Sequence, residues 1–345
     1  MTSAVPSPAT PRSTAPAGRA AVIAGIGISV PERIVTNHEI AARLDTSDEW
    51  IRTRTGIVQR HLADPDTSTS DLAVDAGARA LKAAGADDVS VVIVATTTPD
   101  RVIPSTAPEV AARLGLTAVA AYDVNAVCAG FVYATATAAG LIASGTAERV
   151  LVIGADCMSR FVDPDDRATF VLFGDGAGAI VLRAGDADEP GVVGPFDLGS
   201  DGEVADILKV PAGGSRRPAS AETVANREHY LSMAGREVYR QAVRRMVESS
   251  RRVLERAGLT VDDVDKLVGH QANIRILDAV GERLGIPRER RVANVARYGN
   301  TSAASIPLAL ADAGARPGER LLLTAFGAGL TWGSALVTWP DLDSP

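Results

Sequence analysis

The sequence predicts an α/β protein made of two similar halves, and three observations carry that prediction. Apolar runs of strand length alternate with helical patterns, the arrangement of a sheet with helices on its faces and mostly parallel strands. The run Glu148-Arg-Val-Leu-Val-Ile-Gly-Ala-Asp156 is echoed by Glu319-Arg-Leu-Leu-Leu-Thr-Ala-Phe-Gly327, which points to an internal duplication. Each copy follows a helix rich in small residues (Val124 to Ala147, Thr301 to Ala313) and leads through a Gly-rich turn (Phe173 to Gly178, Phe326 to Gly329) into another apolar strand, Ala179 to Leu182 or Ser334 to Thr338. Two such halves pack with their small-residue helices meeting between two sheets.

In order, residues 1–18 are rich in Ala, Pro, Ser and Thr, with no apolar segment of signal-peptide type, and read as a disordered tail. The first half spans 19–190 and the second 191–345. Ala20 to Ser29 is a buried strand. Thr36 caps a short helix from Asn37, and a second helix runs from Ser47 to Arg54. A helix from about Ser70 to Ala84 is stopped by Gly85, Val91 to Thr97 is β-rich, and Ser105 or Thr106 opens the next helix. Leu231 to Ala257 is a long amphipathic helix carrying Arg236, Arg240, Arg244, Arg245, Arg251, Arg252 and Arg256 among Glu237, Glu248 and Glu255. It is either a solvated face with i,i+4 pairs or a basic dock.

Composition removes several classes of function. With 345 residues and 46% hydrophobic content the chain buries a large core, and a net charge of −7 argues against nucleic acid. Two cysteines make no disulfide framework, and with four scattered histidines they make no zinc pattern; a reducing cytoplasm fits. The stretch Val124 to Ala147 carries no charge, yet Asn125 and its Ala, Gly and Thr make it a poor lipid-facing span. Gly25-Ile-Gly-Ile lacks the third glycine of a dinucleotide fingerprint, and Gly174 to Gly178 leads into a strand where that fingerprint needs a helix. No phosphate loop is present, so neither NAD nor a nucleoside triphosphate is expected.

Cys128 sits between an extended segment (Ala118 to Val124) and the uncharged helix, where unpaired N–H groups and the helix dipole favour a thiolate. A backbone N–H from Gly327-Ala-Gly329 can join that of Cys128 in an oxyanion hole. His270 follows a short β-like run, and Asn300 caps the second small-residue helix. Singly these are a core histidine and a cap. Together they are a Cys, His, Asn set at equivalent junctions of two halves.

Six segments in order carry a resemblance: Asp48-Glu-Trp-Ile-Arg-Thr-Arg-Thr-Gly56, Val124-Asn-Ala-Val-Cys-Ala-Gly-Phe131, Phe173-Gly-Asp-Gly-Ala-Gly178, His270-Gln-Ala-Asn273, Gly299-Asn-Thr-Ser-Ala-Ala-Ser305 and Phe326-Gly-Ala-Gly-Leu-Thr-Trp-Gly-Ser334. Over about Ala20 to Pro340 the chain resembles the β-ketoacyl-acyl-carrier-protein synthase III family. The resemblance implies a thiolase-like fold of five layers, α-β-α-β-α, in a homodimer. It implies a decarboxylating Claisen condensation of an acyl-coenzyme A starter with malonyl-acyl carrier protein, initiating type II fatty acid synthesis. No cofactor is implied, since acyl-coenzyme A is a substrate, and neither nucleic acid nor a membrane is a partner. By matching positions Cys128, His270 and Asn300 are catalytic, and the N–H groups of Cys128 and Ala328 form the oxyanion hole. Trp50, Arg54 and Arg167 hold coenzyme A, with Gly235 and Asn273 along its pantetheine. Arg240, Arg275 and Gln271 meet the carrier protein. Ile103 stands where acetyl-selective members place a Phe that enters the acyl pocket across the dimer, which leaves the starter open. A starter-loading enzyme or acyltransferase of polyketide metabolism is the alternative. A papain-like hydrolase is disfavoured, because its Cys-Gly-Ser/Ala-Cys-Trp/Tyr signature is missing.

Overall fold

A computed structural model describes residues 19–342; the tail expected over 1–18 lies outside the described residues. Sheet one contains β1 (Ala20–Ser29), β2 (Val91–Ala95), β3 (Ala120–Val124), β4 (Arg149–Cys157) and β5 (Asp175–Gly185), in the order β1-β5-β4-β2-β3. Sheet two contains β6 (Val193–Ser200), β7 (Lys266–Gly269), β8 (Arg320–Gly327) and β9 (Thr331–Thr338), in the order β6-β9-β8-β7. The two orders match strand for strand, and even β3 has a remnant, a single parallel bridge between Leu267 and Arg291 at the free edge of β7. This repetition is the internal echo of the sequence made visible.

The sheets are mixed, not mostly parallel. β2 pairs in parallel with β3 and β4, and β7 with β8, but β5 runs antiparallel to both β1 and β4, and β9 antiparallel to both β8 and β6. The physical reason is the connection: only Ala328 to Leu330 separates β8 from β9, and a parallel pair needs a crossover of a dozen or more residues. The segment Gly174 to Gly178, expected as a turn, is mostly strand. Its glycines serve close packing instead, since a Cβ at Gly178 would lie 2.7 Å from Pro307.

Of the helices that matter, α1 is Asp48–Thr55, α2 Thr69–Ala84, α3 Gly130–Ala143, α4 Gly235–Ala257, α5 Ile274–Leu284 and α6 Ser305–Ala311. The stripe Ala73, Ala76, Ala80 of α2 lies so close to β1 that a Cβ at Gly25 or Gly27 would stand 2.5 or 2.4 Å from helix backbone. α4 and α5 cover the outer face of sheet two, burying Val243, Met246, Val253, Ile276 and Val280. Between the sheets lie α3 and α6, buried with Ile93, Val152, Ile180, Leu321 and Leu323. The stack is therefore α-β-α-β-α. Each fully buried Ile, Leu or Phe here contributes about 1.5–3 kcal/mol, against roughly 0–1 for a surface ion pair, so the central layer dominates stability and holds what is attached to its helices.

Candidate active site

The two buried helices begin in the same way. Asn125 Oδ1 accepts the Val127 N–H at 3.3 Å, and Asn300 Oδ1 accepts the Ser302 N–H at 2.9 Å. Val127 and Ser302 both hold the left-handed conformation, with φ of 48° and 51°, which for a β-branched residue is a strained state kept only where its surroundings enforce it. A 3₁₀ turn follows in each copy, Val127–Ala129 and Ser302–Ala304, and then the helix. Cys128 is thus presented on a bent turn two residues before α3, and its helix is shorter than the sequence suggests.

The Asn125 to Ala129 turn is clasped by the β8–β9 hairpin. A Cβ at Gly327 would lie 2.8 Å from the Cys128 nitrogen, so only glycine lets the hairpin approach. The Thr331 hydroxyl lies 2.9 Å from the Ala126 carbonyl oxygen and 3.0 Å from that of Ala328. Among the described residues no backbone acceptor meets the N–H of Cys128 or of Ala328. Those are the two donors that an oxyanion hole requires.

Cys128, His270, Asn300 and Phe326 line one cavity of about 440 Å³ that opens past Gly235, Asn273 and Arg54. His270 leaves β7 with its N–H on the Thr324 carbonyl (2.8 Å), and its Nδ1 lies 2.6 Å from Ser305 Oγ. Nε2 is left for the cavity. Because the Asn300 carbonyl oxygen is taken by Ser302, its amide NH₂ is the group left over as a donor. Burial lowers the His270 pKa to about 3 and raises that of the Cys128 thiol to about 12; on the thiol, contact with Ser302 opposes the shift and the charge of Asp156 adds to it. The resting pair is therefore a thiol beside a neutral imidazole, where the helix start had suggested a standing thiolate: burial outweighs the dipole, and the proton must leave when substrate is attacked. Cys157 is raised to about 12 as well, but it packs in the core outside sheet one. Access to the cavity, not acidity, separates the two cysteines.

His270 also links the site to stability. Its ordinary pKa is 6.5 and its folded value about 3, so below pH 6.5 the unfolded chain binds a proton that the folded chain refuses. Stability falls as pH drops through that window and levels near 3; at pH 5 the loss is about 2 kcal/mol. Urea unfolding of His270→Gln should show a decline between pH 7.5 and 5 smaller than the native decline by about that amount. Equal declines would contradict a buried neutral imidazole.

At the mouth, the half-buried Trp50 on α1 has the guanidinium carbons of Arg54 and Arg167 over its ring, at 5.0 and 5.2 Å. Arg167 is steadied by the Asp45 carbonyl at 2.6 Å. Arg275 lies over Tyr239 at 5.7 Å, and both line the cavity. The arginines of α4 divide by position. Arg252 and Arg256 hold Asp197 on β6, and Arg245 holds Asp201, whereas the Arg240 side chain is 75% exposed and pairs with its neighbour Glu237. Gln271 requires correction: it is 1% exposed. Its amide donates to the Gly269 and Val292 carbonyls and its oxygen accepts from the Asn294 and Val295 N–H groups, so it braces the loop before Asn300 and cannot meet a carrier protein. Ile103 is 84% exposed, away from this chain's cavity. Sequence reasoning missed Ser302, Ser305, Thr331 and Asp156. Both serines lie inside a segment already singled out, but a hydroxyl's partner across 35 residues has no local signal.

A five-layered fold with Cys, His and Asn converging from two repeats on one cavity defines a condensing acyltransferase of thiolase type. Residues 122–202 match the family model for 3-oxoacyl-[acyl-carrier-protein] synthase III, and residues 254–339 match that for its C-terminal part. The chain is 58% identical to β-ketoacyl-[acyl-carrier-protein] synthase III 3 of Streptomyces coelicolor, over 94% of this chain and 99% of that one. It is 51% identical to β-ketoacyl-[acyl-carrier-protein] synthase III of Pseudomonas aeruginosa PAO1, over 94% and 98%. The crystal structure of the Pseudomonas aeruginosa PAO1 3-oxoacyl-(acyl carrier protein) synthase III superposes with a TM-score of 0.88 at 49% identity, covering 94% of this chain and all of that one. The priming β-ketosynthase of the R1128 polyketide pathway superposes with a TM-score of 0.87 at 37% identity, over 97% and 100%. The chain belongs to the β-ketoacyl-acyl-carrier-protein synthase III family.

Proposed function

We propose that the chain condenses an acyl-coenzyme A starter with malonyl-acyl carrier protein, releasing coenzyme A and carbon dioxide, and that Cys128, His270 and Asn300 divide the chemistry. The single observation that carries this is the shared cavity of those three groups, with the N–H groups of Cys128 and Ala328 beside it. In the first half-reaction the Cys128 sulfur attacks the thioester carbonyl, its proton passes to His270 Nε2, the oxyanion takes the two backbone N–H bonds, and as the C–S bond to coenzyme A breaks Nε2 returns that proton to the departing sulfur, so coenzyme A leaves as its thiol. In the second, His270 Nε2–H and the Asn300 amide donate to the malonyl thioester oxygen. The C–C bond to the carboxylate breaks, carbon dioxide departs, the enolate carbon attacks the carbonyl of acyl-Cys128, and the C–S bond breaks to release 3-oxoacyl-acyl carrier protein and the Cys128 thiolate, which takes a proton from solvent to restore the thiol. Nε2 must accept in one step and donate in the other. The Ser305 hydroxyl suits both, since it can accept from Nδ1–H or donate to bare Nδ1.

Trp50 and the guanidiniums over it offer a flat, electron-poor slot for the adenine of coenzyme A, with Gly235 and Asn273 along the pantetheine. Acyl-coenzyme A enters as a substrate, and the reaction so drawn uses no resident cofactor. Residues 19–190 and 191–345 act as two halves of one body in a homodimer, in the cytoplasm. Among the described residues no helix is long and apolar enough to cross a membrane. Val102 and Ile103, 89% and 84% exposed, stand ready to enter a partner's acyl pocket, and the smaller Ile there admits starters beyond acetyl. In an acyl-coenzyme A panel, Ile103→Phe should depress turnover of branched and four-carbon starters more than that of acetyl, by on the order of tenfold, the range for one or two methylenes in an apolar pocket. Equal effects on every starter would remove Ile103 from the pocket.

Arg275, which lines the cavity, and Arg240, exposed on α4, are cationic groups on an otherwise acidic chain and fit an acidic carrier protein. Reversing either charge should raise KM for malonyl-acyl carrier protein about tenfold and leave acylation by coenzyme A thioesters unchanged, and added salt should act likewise. Unaltered carrier-protein kinetics in both variants would make them part of the solvated face. The likeness to the priming β-ketosynthase supports a second reading, the loading of a starter for polyketide synthesis, which the same starter panel addresses.

A further inference from the structure

One buried cation lies outside this chemistry. Arg60, on the short antiparallel pair of Ile34–Thr36 with Gln59–His61, is fully buried. Its Nη1 donates to the Val35 carbonyl (3.2 Å) and to Asn37 Oδ1 (2.9 Å), and its Nη2 donates to the Val171 carbonyl (2.8 Å). No carboxylate is among these partners, and Nε meets no acceptor among the described residues. Burial lowers the pKa of Arg60 to about 10, so the guanidinium keeps its charge at neutral pH. Burying a cation without a counter-ion is costly, and an apolar side chain of like volume fills such a space at less cost. What the guanidinium supplies instead is a rigid fork of strong donors that holds oxygens on separate segments at once.

The segment it holds leads to Asn300. Directly after Val171, the Leu172 carbonyl accepts the Asn300 N–H at 2.8 Å, and the Gly174 N–H donates to the Asn300 carbonyl at 3.0 Å, so that Phe173 and Asn300 pair as a parallel bridge. Leu172, Phe173 and Asn300 all line the cavity, where this bridge joins one half of the chain to the other. The Arg60 stem packs against both sides of it. A Cβ at Gly174 would lie 3.1 Å from the Arg60 Cβ, and one at Gly299 would lie 3.3 Å from it. Gly299 has a φ of 67°, and a Cβ there would also stand 2.9 Å from the Leu172 carbonyl oxygen, so only glycine lets the chain turn into Asn300 at this close approach.

We infer that Arg60 is a positioning residue for Asn300: by holding the Val171 carbonyl and packing against Gly174 and Gly299, it fixes the backbone from which the Asn300 amide donates to the malonyl thioester oxygen. Arg60 is not among the residues lining the cavity, so it acts only through the bridge. The fork is braced in turn by Asn37, whose amide donates to Asp48 Oδ1 at the start of α1 (2.9 Å) and to the Ile57 carbonyl (2.8 Å). Such bracing matters for rate, because a misplacement of about 1 Å at a reacting group can cost on the order of 10². The N–H groups of Cys128 and Ala328 take none of the Arg60 hydrogen bonds, which sets acylation apart from this device.

The inference rests on Asn300 as a donor in decarboxylation, and the test keeps the two apart. Carbon dioxide release from labelled malonyl-acyl carrier protein and acylation of Cys128 by acyl-coenzyme A are each measured at saturating substrate in the native chain, Arg60→Lys, Asn300→Ala and the double variant. All assays run well below each melting temperature, with near-UV circular dichroism as the folding control. Arg60→Lys should slow carbon dioxide release by on the order of tenfold and leave acylation within about twofold of native, since a compact ammonium lacks the planar fork that spans Val35, Asn37 and Val171. Added to Asn300→Ala it should cost nothing further, because the group it positions is already gone. A merely structural role slows both half-reactions alike. A folded Arg60→Lys with native carbon dioxide release, an equal fall in both half-reactions, or a full further loss in the double variant would overturn the inference. Should Arg60→Lys fail to fold, Arg60→Gln, which buries no charge and keeps one amide donor, decides by the same three readings. Native carbon dioxide release in Asn300→Ala would instead refute the role given to Asn300 above.

Discussion

Cys128→Ala forms no acyl-enzyme with any acyl-coenzyme A, yet still releases carbon dioxide from malonyl-acyl carrier protein. Cys128 is the thiol among the residues lining the cavity, so its loss removes condensation outright. The donors proposed for decarboxylation, His270 Nε2–H and the Asn300 amide, are fixed by other elements: the His270 N–H on Thr324 and Nδ1 on Ser305, and the Asn300 side chain on the Ser302 N–H. Truncating the sulfur leaves those bonds intact. Labelled malonyl-acyl carrier protein measures the release, and a variant that lost both activities while folded would show that the two half-reactions are not separable by residue.

The complementary pair has the opposite outcome. His270→Ala and Asn300→Ala each remove one of the two donors proposed for the developing enolate, and loss of one such donor costs about 10²–10³ in rate. Carbon dioxide release should fall by that amount in either variant. Acylation should persist, because the N–H groups of Cys128 and Ala328 belong to the backbone; it should be slower in His270→Ala, since burial raises the Cys128 thiol to about 12 and Nε2 is the base at hand. If Asn300→Ala abolished acylation and spared decarboxylation, Asn300 would have to be recast as an orienter of the imidazole in the manner of a hydrolase.

Much of this was legible in the residues, for reasons that can be named. The two halves could be read because Glu148-Arg-Val-Leu-Val-Ile and Glu319-Arg-Leu-Leu-Leu-Thr are local patterns, and β4 and β8 are their direct products. Thr36, Gly85 and the uncharged helices were readable for the same reason, each being set by its neighbours in sequence. Strand direction was misread because buried strands are apolar throughout in parallel and antiparallel sheets alike; only the three-residue gap before Thr331 held the clue. The protonation of Cys128 was misread because a helix start is visible in sequence whereas burial is not. Gln271 was misplaced for a like reason, as three of its four partners lie in one stretch, Val292 to Val295, that reaches it only in the fold. The bond from the Ala303 N–H to Asp156 was invisible, its two ends standing 147 residues apart and meeting across the repeats.

The central claim is that Cys128 carries the acyl group between two half-reactions, and one measurement addresses it most directly. The native chain is mixed with an acyl-coenzyme A in the absence of malonyl-acyl carrier protein, digested, and its peptides weighed, then chased with malonyl-acyl carrier protein. A single acyl adduct on the Cys128 peptide, none on that of Cys157, and its disappearance as 3-oxoacyl-acyl carrier protein forms is the predicted result. An adduct on Cys157, or product formed with Cys128 never acylated, would contradict it.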